Sequence, residues 1–232
     1  MSRLAGILST VLITGGLVVL ADVGLTLAYK EPLSSLYGEI KQHQAASQLS
    51  KLESHYPTAR DVAAIRHVHG LAGKAVVLGR RFARRAGTGD AIGRIVAPAM
   101  GLNAVLVQGT DTSSLQKGPG HYPDTAFPGQ GGTVGIAGHR TTYLAPFRHI
   151  DSMHRGDTVT LEMPYGTFTY GVQKTRIVDP SQVGIVHRVG YERLVLTACH
   201  PLYSAAERYA IFARLRHIAI FDVTRGGRLQ VS

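Results

Sequence analysis

The stretch LVLTACHPLYSAAERYAIFARL, Leu194 to Leu215, contains two runs of apolar and β-branched residues that are separated by a polar loop. Runs of this kind, bounded by Pro and Ser, predict two β-strands. An antiparallel pair places the end of one strand beside the start of the next. We therefore expect Cys199 and Arg208 to face each other across the loop.

The sequence before this stretch has the same texture back to Gly93. Short β-branched and aromatic runs alternate with Gly, Pro and Asp, as in GRIVAPAMGLNAVLVQG, GGTVGIAGH and DTVTLEMPYGTFTYGVQKTRIVDP. The segment EMPYGTFTY predicts a hairpin with PYG as its turn. About five to eight strands without a sustained amphipathic helix between them indicate a mostly-β barrel or sandwich.

The first 29 residues have the composition of a membrane anchor. Residues 4–21 contain no charge and would span about 27 Å as a helix, close to the thickness of a bilayer core. Arg3 before this run and Asp22 after it favour a cytoplasmic N-terminus, with the rest of the chain outside the cell membrane. A cleaved signal peptide is the alternative, but the run is longer than the usual h-region. We expect a single-pass membrane protein.

Residues 30–89 differ in composition from both of their neighbours, because they are rich in Ala, Gln, Lys, Arg and His. Their apolar residues follow a helical period at Leu33, Leu36, Ile40 and Ala45. The glycines of ARRAGTGDAIG mark a boundary. We predict a membrane-proximal helical or linker stalk over residues 30–89 and a catalytic domain over residues 90–232.

The formal net charge of +10 at pH 7 favours anionic surroundings, either nucleic acid or the surface of a membrane and wall. A body outside the membrane does not meet nucleic acid, so we expect no such partner. The basic cluster RRFARR, Arg80 to Arg85, is then either a solvated segment or one that faces lipid headgroups.

Cys199 is the only cysteine in the chain, which excludes an intrachain disulfide and a cysteine zinc site. It is a small core residue, half of an intermolecular bridge, or a nucleophile. Side chains alternate between the two faces of a strand, so Cys199 shares a face with Thr197 while His200 points away. His200 is thus poorly placed to activate the thiol, and we expect it to be structural or to line the rim of a cleft.

A thiol nucleophile needs a base or an imidazolium within reach and a group that holds the oxyanion. His139 follows the run TVGIAG, and from the end of a strand it can reach across a barrel surface. An isolated histidine is more often structural, so this setting alone leaves its role open. The guanidinium of Arg208 can hold an oxyanion, although Arg214 has the same strand parity.

Three segments, GPGHYPDTAFPG, AGHRTTYLAPF and TACHPLYSAAER, occur in the order and at the spacing of the sortases. Over about residues 93–222 the chain resembles this family, in particular the class E housekeeping sortases of actinobacteria. The resemblance implies an eight-stranded β-barrel with short helices. It also implies that His139 is the catalytic histidine, Cys199 the nucleophile and Arg208 the catalytic arginine.

The resemblance further implies a transpeptidase of the cell surface. In this family the thiolate attacks the Thr–Gly bond of a C-terminal sorting signal on a surface protein, forms a thioester, and passes the protein to an amine of a peptidoglycan precursor of the lipid II type. Class E members take signals of the Leu-Ala-x-Thr-Gly kind, and many relatives take Leu-Pro-x-Thr-Gly. We expect no cofactor and no metal, because Glu162 and Glu207 are isolated and calcium needs several oxygen ligands.

Three residues are candidates for substrate binding. Tyr122 in GPGHYPDT can cover a small Ala at the second signal position and donate a hydrogen bond, or it packs the loop. Thr197 and Ala198 directly precede the nucleophile. Many sortases carry Thr at the position of Ala198, so a side-chain hydroxyl is missing there.

Two other interpretations remain open at this point. Another cysteine enzyme of the wall, an L,D-transpeptidase or a papain-like peptidase, would carry its cysteine in a His-Gly-x-Cys motif or at the start of a helix. A non-catalytic anchored scaffold would bury Cys199 as a small apolar residue. The joint presence of His139, Cys199 and Arg208 argues against the scaffold.

Overall fold

A computed structural model describes residues 2–28, 32–222 and 227–228 of the chain. The described helices are α1 (Ser2–Ala28), α2 (Pro32–Ser54), α3 (Ala59–Ile65), α4 (Leu71–Ala83) and α5 (Thr112–Leu115). The described strands are β1 (Ala91–Ala97), β2 (Leu102–Gln108), β3 (Gly120–His121), β4 (Thr133–Ala137), β5 (Thr158–Met163), β6 (Gly166–Val178), β7 (Arg193–His200), β8 (Glu207–Asp222) and β9 (Gly227–Arg228). Short 3-10 helices lie at Pro98–Met100, Ile150–Ser152 and Val183–Val186.

The strands close into a barrel. In the described residues their order is β6-β5-β1-β2-β3-β4-β7-β8-β9, and β6 also pairs with β8 along most of its length. Strands β1 to β8 therefore form a closed ring, which β9 extends at the edge of β8. The β2–β3 and β4–β7 pairs are parallel and the other pairs are antiparallel. The predicted eight-stranded barrel is confirmed. The β6–β8 pairing excludes the alternative of a sandwich, because it closes the sheet on itself.

Alternating side chains fill the barrel interior. Strand β5 buries every second residue, at Val159, Leu161 and Met163. The predicted EMPYGTFTY hairpin is confirmed, because Met163 pairs with Gly166 across a two-residue turn. Aromatic rings at Phe168 and Tyr170 on β6 are fully buried. The interior is thus a packed, mostly apolar core.

Helix α2 contains the predicted helical period, but not all of the apolar residues that mark it face the body of the protein. Leu36 and Ile40 are 59% and 49% exposed. The buried positions are Gly38, Ala45 and Leu49, which lie on one side of the helix. Helical periodicity identifies a stripe of residues but not its partner, and here the small Gly38 lets α2 pack tightly against Tyr143 and Leu144.

The segment after α1 is part of the folded body rather than a stalk that stands apart. The Gln42 amide pairs with the backbone of Val105, accepting from its N–H at 2.9 Å and donating to its carbonyl at 3.1 Å. Leu78 and Phe82 of α4 lie in the same apolar cluster as the barrel interior. The predicted domain boundaries stay predictions, but the helices before residue 89 help to build the core.

The basic cluster RRFARR does not act as one solvated run. Asp61 is buried, and its carboxylate accepts hydrogen bonds from Arg81 Nε at 2.7 Å and from both terminal nitrogens of Arg85 at 2.9 Å. Burial works to raise the pKa of Asp61, but these hydrogen bonds and that of Thr58 outweigh it and hold the pKa below its ordinary value. Two arginines of the cluster are therefore structural.

Helix α1 covers most of the predicted anchor, and its described side chains between Ala5 and Ala21 are exposed. Within the described part of the chain, no helix combines the length and the apolarity that are needed to cross a membrane. The side chains of Arg3, Asp22 and Leu33, which entered the predictions for this region, lie outside the described residues.

Candidate active site

The β7–β8 hairpin pairs Cys199 directly with Arg208. Cys199 is half-buried at the second-to-last position of β7, and Arg208 is half-buried at the second position of β8. The Arg208 Nη1 group donates to the carbonyls of Ala205 and Glu207, each at 2.9 Å. These bonds hold the guanidinium at the loop end, and among the described residues its Nε and Nη2 groups have no protein partner.

The parallel pairing of β4 and β7 brings His139 to the level of Cys199. Ala137 is in register with Thr197, and Gly138 N–H donates to the Thr197 carbonyl at 3.1 Å. His139 and Cys199 lie two residues beyond this pair, so the register places them at the same end of two neighbouring strands. A Cβ on Gly138 would lie 2.7 Å from the Phe147 ring, so only glycine fits there.

The His139 imidazole has one ring nitrogen that is buried without a hydrogen bond. Its Nε2 atom is buried and has no hydrogen-bond partner among the described residues. A buried polar atom without a partner costs stability and marks a site where a ligand or a reacting group is expected. Burial also lowers the pKa of His139 below 6.5, so its neutral form dominates in the resting protein at neutral pH.

The loop after His139 has an unusual backbone. Tyr143, Leu144 and Ala145 have φ values of 48°, 66° and 44°, in the left-handed region that non-glycine residues avoid. The Tyr143 ring packs on His139 with a centroid distance of 5.3 Å. Strained backbone persists only where the surroundings determine it, and here it shapes one wall of the histidine pocket.

His200 and Arg140 form a second pair behind the catalytic candidates. Arg140 is buried, and its Nη1 group lies 3.1 Å from His200 Nδ1. Its Nη2 group donates to Asp151 and its Nε group donates to the Arg148 carbonyl at 3.3 Å. The structural role predicted for His200 agrees with this contact. Sequence reasoning missed Arg140, whose signal is its place directly after His139.

A groove of about 670 Å³ begins beside this site. Arg208, Thr197 and Tyr122 line it, with Val178 and the segment 182–188 forming the opposite wall. The Tyr122 hydroxyl lies 2.8 Å from Thr197 Oγ1, so these two candidate substrate-binding residues are in contact on the floor of the groove.

Ala198 is placed differently. It is 3% exposed and belongs to the apolar core, because strand alternation turns it away from the face that Cys199 and Thr197 share. The structure therefore puts its methyl group in the core and not in the groove. A threonine at this position would direct its hydroxyl inward, so the missing hydroxyl has no bearing on the groove face.

These positions define the class of protein, an enzyme that uses a cysteine nucleophile. The chain belongs to the sortase family, because the family model described as a sortase domain matches residues 95–216. Members of this family are cysteine transpeptidases. Membership removes the alternatives of an L,D-transpeptidase and a papain-like peptidase.

Two curated relatives carry different class designations. The chain is 37% identical to sortase D of Bacillus subtilis strain 168 over 131 residues, which are 55% of this chain and 65% of that protein. It is 30% identical to sortase SrtE2 of Streptomyces coelicolor over 143 residues, or 53% of this chain and 55% of that protein. The chain thus covers less than two-thirds of the length of these relatives.

Solved structures support the same fold. Sortase E from Streptomyces avermitilis is 31% identical, with a TM-score of 0.53 and coverage of 61% of this chain and 96% of that one. A Clostridium perfringens sortase D5 transpeptidase superposes with a TM-score of 0.61 over 76% of this chain and 99% of that one. The latter is 21% identical and is evidence for the fold alone.

Proposed function

We propose that the chain cleaves a C-terminal sorting signal between Thr and Gly through a thioester on Cys199 and transfers the acyl group to an amine. The observation that carries this proposal is the cross-strand pairing of Cys199 with Arg208, which lines the groove. His139 lies at the same end of the neighbouring strand. A thiol, a base and an oxyanion-binding cation are the groups that acyl transfer requires.

The lowered pKa of His139 supports a neutral imidazole in the resting protein. In the proposed first step His139 takes the proton of Cys199 as sulfur bonds to the signal's Thr carbonyl carbon, and Arg208 faces the oxyanion. The C–N bond then breaks, and the imidazolium returns the proton to the leaving amine. In the second step an acceptor amine attacks the thioester and loses a proton to His139. The C–S bond breaks, and the sulfur recovers that proton.

The groove supports a peptide substrate, and the finer assignments are part of the proposal. The substrate is a surface protein that carries a Leu-Ala-x-Thr-Gly or Leu-Pro-x-Thr-Gly signal, and the acceptor is the amine of a peptidoglycan precursor. A class E assignment is supported by identities of 30% and 31% to sortases named E, which are lower than the 37% identity to sortase D. The relative named sortase D is an argument for class D, so the preference for Ala or Pro decides.

We also propose that the protein is a single-pass membrane protein with a cytoplasmic N-terminus and an extracytoplasmic barrel. The support is the uncharged run at residues 4–21 and the order of Arg3 and Asp22 around it. Fractionation of cells that express the full chain, with the N-terminus sequenced by mass spectrometry, tests this. A mature N-terminus beyond residue 29 would favour a cleaved signal peptide.

The enzymatic proposal is tested by mass spectrometry of the protein with both signal peptides and an amine acceptor. We expect an acyl adduct on Cys199 and a transpeptidation product, and neither with Cys199→Ala. Arg208→Ala should lower kcat by about 100-fold to 1,000-fold, as loss of an oxyanion donor does. Arg214→Ala is the matched control, because Arg214 has the same parity but packs on Tyr191. Wild-type cleavage by Cys199→Ala would refute the proposal.

The same samples test the remaining alternative of a non-catalytic scaffold. Cys199 is half-buried, so a thiol reagent should modify it in the folded protein. Complete protection of the thiol would favour the scaffold.

A further inference from the structure

A second, smaller cavity of about 220 Å³ adjoins the groove. The two cavities share Asp124, Thr125, Val186 and Arg188 in their walls. Arg80, Gln130, Gly132 and Thr133 line only the smaller one. The groove therefore continues past the segment 186–188 into a separate compartment, which the proposed chemistry at Cys199 does not use.

The distance between the two ends fits the length of a sorting signal. His139 is level with Cys199, two residues beyond the pair of Ala137 and Thr197. Thr125 lines the small cavity, and its hydroxyl accepts at 3.1 Å from the N–H of Gly135, four residues before His139. Four residues of strand span about 13 Å. The four signal residues from Leu to Thr have the same reach when extended. A peptide with its Thr carbonyl at Cys199 would thus present the residue before Leu to the small cavity.

The small cavity is positively charged. Arg80 comes from α4 and Arg188 from the loop before β7, and both are exposed. Among the described residues neither arginine forms an ion pair. Asp124 is the one carboxylate among the residues lining the cavity, so the formal charge of the lining is +1. Arg80 is also the member of RRFARR that is directed to this cavity, whereas Arg81 and Arg85 are held by Asp61.

The wall beside Arg80 is well anchored. A Cβ on Gly79 would lie 3.1 Å from the Pro128 carbonyl, so α4 approaches this loop closely beside Arg80. The buried Glu192 carboxylate accepts from the N–H groups of Gly129 at 2.8 Å and Gly131 at 2.7 Å. A rigid wall lowers the entropic cost of holding a ligand.

We propose that Arg80 and Arg188 form a subsite for an acidic residue immediately N-terminal to the sorting signal. The inference rests on the proposed function, because it takes the direction of the peptide from the position of Cys199. The carboxylate of Asp or Glu would be held between the two guanidinium groups, which provide several N–H donors each. Lysine at the same position would be repelled.

The test uses three peptides that differ only in the residue before the signal: Glu, Gln or Lys. Exposed ion pairs contribute modestly, so we expect kcat/KM to be about fivefold to tenfold higher for the Glu peptide than for the Lys peptide, with Gln between them. The ratio should shrink in 0.5 M salt, where the screening length is only about 4 Å. The Arg80→Glu, Arg188→Glu double variant should reverse the order of the Glu and Lys peptides.

Arg155→Glu is the matched control, because Arg155 is exposed and lines neither cavity. It should leave the ratio unchanged. Equal rates for the three peptides with the wild type, or an equal shift with Arg155→Glu, would overturn the subsite while leaving the cleavage proposal intact.

Binding of fluorescent versions of the peptides to the Cys199→Ala variant separates the two proposals. If the wild type cleaves no peptide but the Glu peptide still binds the variant more tightly, the subsite is supported and the proposed chemistry is wrong. If the variant does not distinguish the peptides, the subsite is wrong whatever the cleavage result.

Discussion

Arg140 Nη1 lies 3.1 Å from His200 Nδ1, so the residues that follow the catalytic candidates His139 and Cys199 are bonded to each other. A guanidinium has no acceptor, so Nδ1 must be the accepting atom. The contact joins the end of β7 to the loop after β4. It therefore ties together the two chain segments whose separation sets the distance between thiol and imidazole.

Replacing His200 tests this link. His200→Phe removes the acceptor and leaves a buried charge with one partner fewer, which should cost about 1.5–3 kcal/mol of stability. We also expect kcat to fall at least about tenfold, since small misplacements in a reacting pair are costly. His200→Gln keeps an acceptor and should retain most of kcat. Equal kcat for the two variants at a temperature where both are folded would contradict the link.

The acidic limb of the pH profile reports on His139. Burial lowers the pKa of this histidine below 6.5, and the proposed mechanism needs the neutral imidazole as base. Activity should therefore be retained at pH 7 and be lost only as the pH falls through the lowered pKa. The measurement is kcat/KM for a cleaved peptide between pH 4.5 and 8. A midpoint of this limb at or above 7 would exclude a neutral resting imidazole at His139.

The contact between Tyr122 and Thr197 should influence the second signal position. Tyr122→Phe removes the hydroxyl that forms a 2.8 Å hydrogen bond with Thr197 Oγ1 in the groove. We expect about 1 kcal/mol of lost stability and a change of at least about threefold in the ratio of kcat/KM for Ala and Pro peptides. Thr197→Val should act in the same direction, and Thr197→Ser should not. An unchanged ratio in Tyr122→Phe would leave Tyr122 as a packing residue.

Gly38 should be intolerant of a side chain. A Cβ there would lie 3.0 Å from Leu144 Cγ and from the backbone carbon of Tyr143, in the strained loop next to His139. Alanine in place of glycine usually stabilises a helix by about 1 kcal/mol. We expect Gly38→Val to cost about 1–3 kcal/mol through overpacking and to lower kcat as the loop shifts.

Thermal unfolding and peptide cleavage by Gly38→Val test this expectation, with the exposed Glu39→Ala as the control. A higher free energy of unfolding in Gly38→Val would show that α2 does not pack tightly against the loop at Tyr143 and Leu144.

His121 should make stability depend on pH in mild acid. It is fully buried, and burial lowers its pKa to about 4, although the Ala126 carbonyl opposes this shift. Between about pH 4 and 6.5 the unfolded chain binds a proton that the folded protein does not. Stability should thus be complete above pH 6.5 and fall by about 3 kcal/mol as the pH drops to 4.

The check is the unfolding free energy of the wild type and of His121→Gln across this range. The variant can be less stable at pH 7, but the difference between the two proteins should narrow toward pH 4. A constant difference would mean that His121 does not titrate in this window.

Local patterns of apolar and polar residues in the sequence determined the strands and hairpins of this protein. Alternating apolar runs on either side of HPLYSAAE are enough to predict the β7–β8 hairpin, and strand alternation then puts Cys199 with Thr197 and turns His200 away. The EMPYGTFTY hairpin follows in the same way. These predictions succeed because hairpin register depends on neighbours in sequence.

Only the tertiary structure decided the features that join distant segments. Closure of the barrel depends on the β6–β8 ladder, and the level of His139 beside Cys199 depends on the parallel β4–β7 register across about sixty residues. On α2, packing buries Leu49 and Gly38 but leaves the equally apolar Leu36 exposed, which periodicity alone does not show. The division of RRFARR between Asp61 and the small cavity is likewise invisible in sequence, because charge contacts depend on which elements pack together.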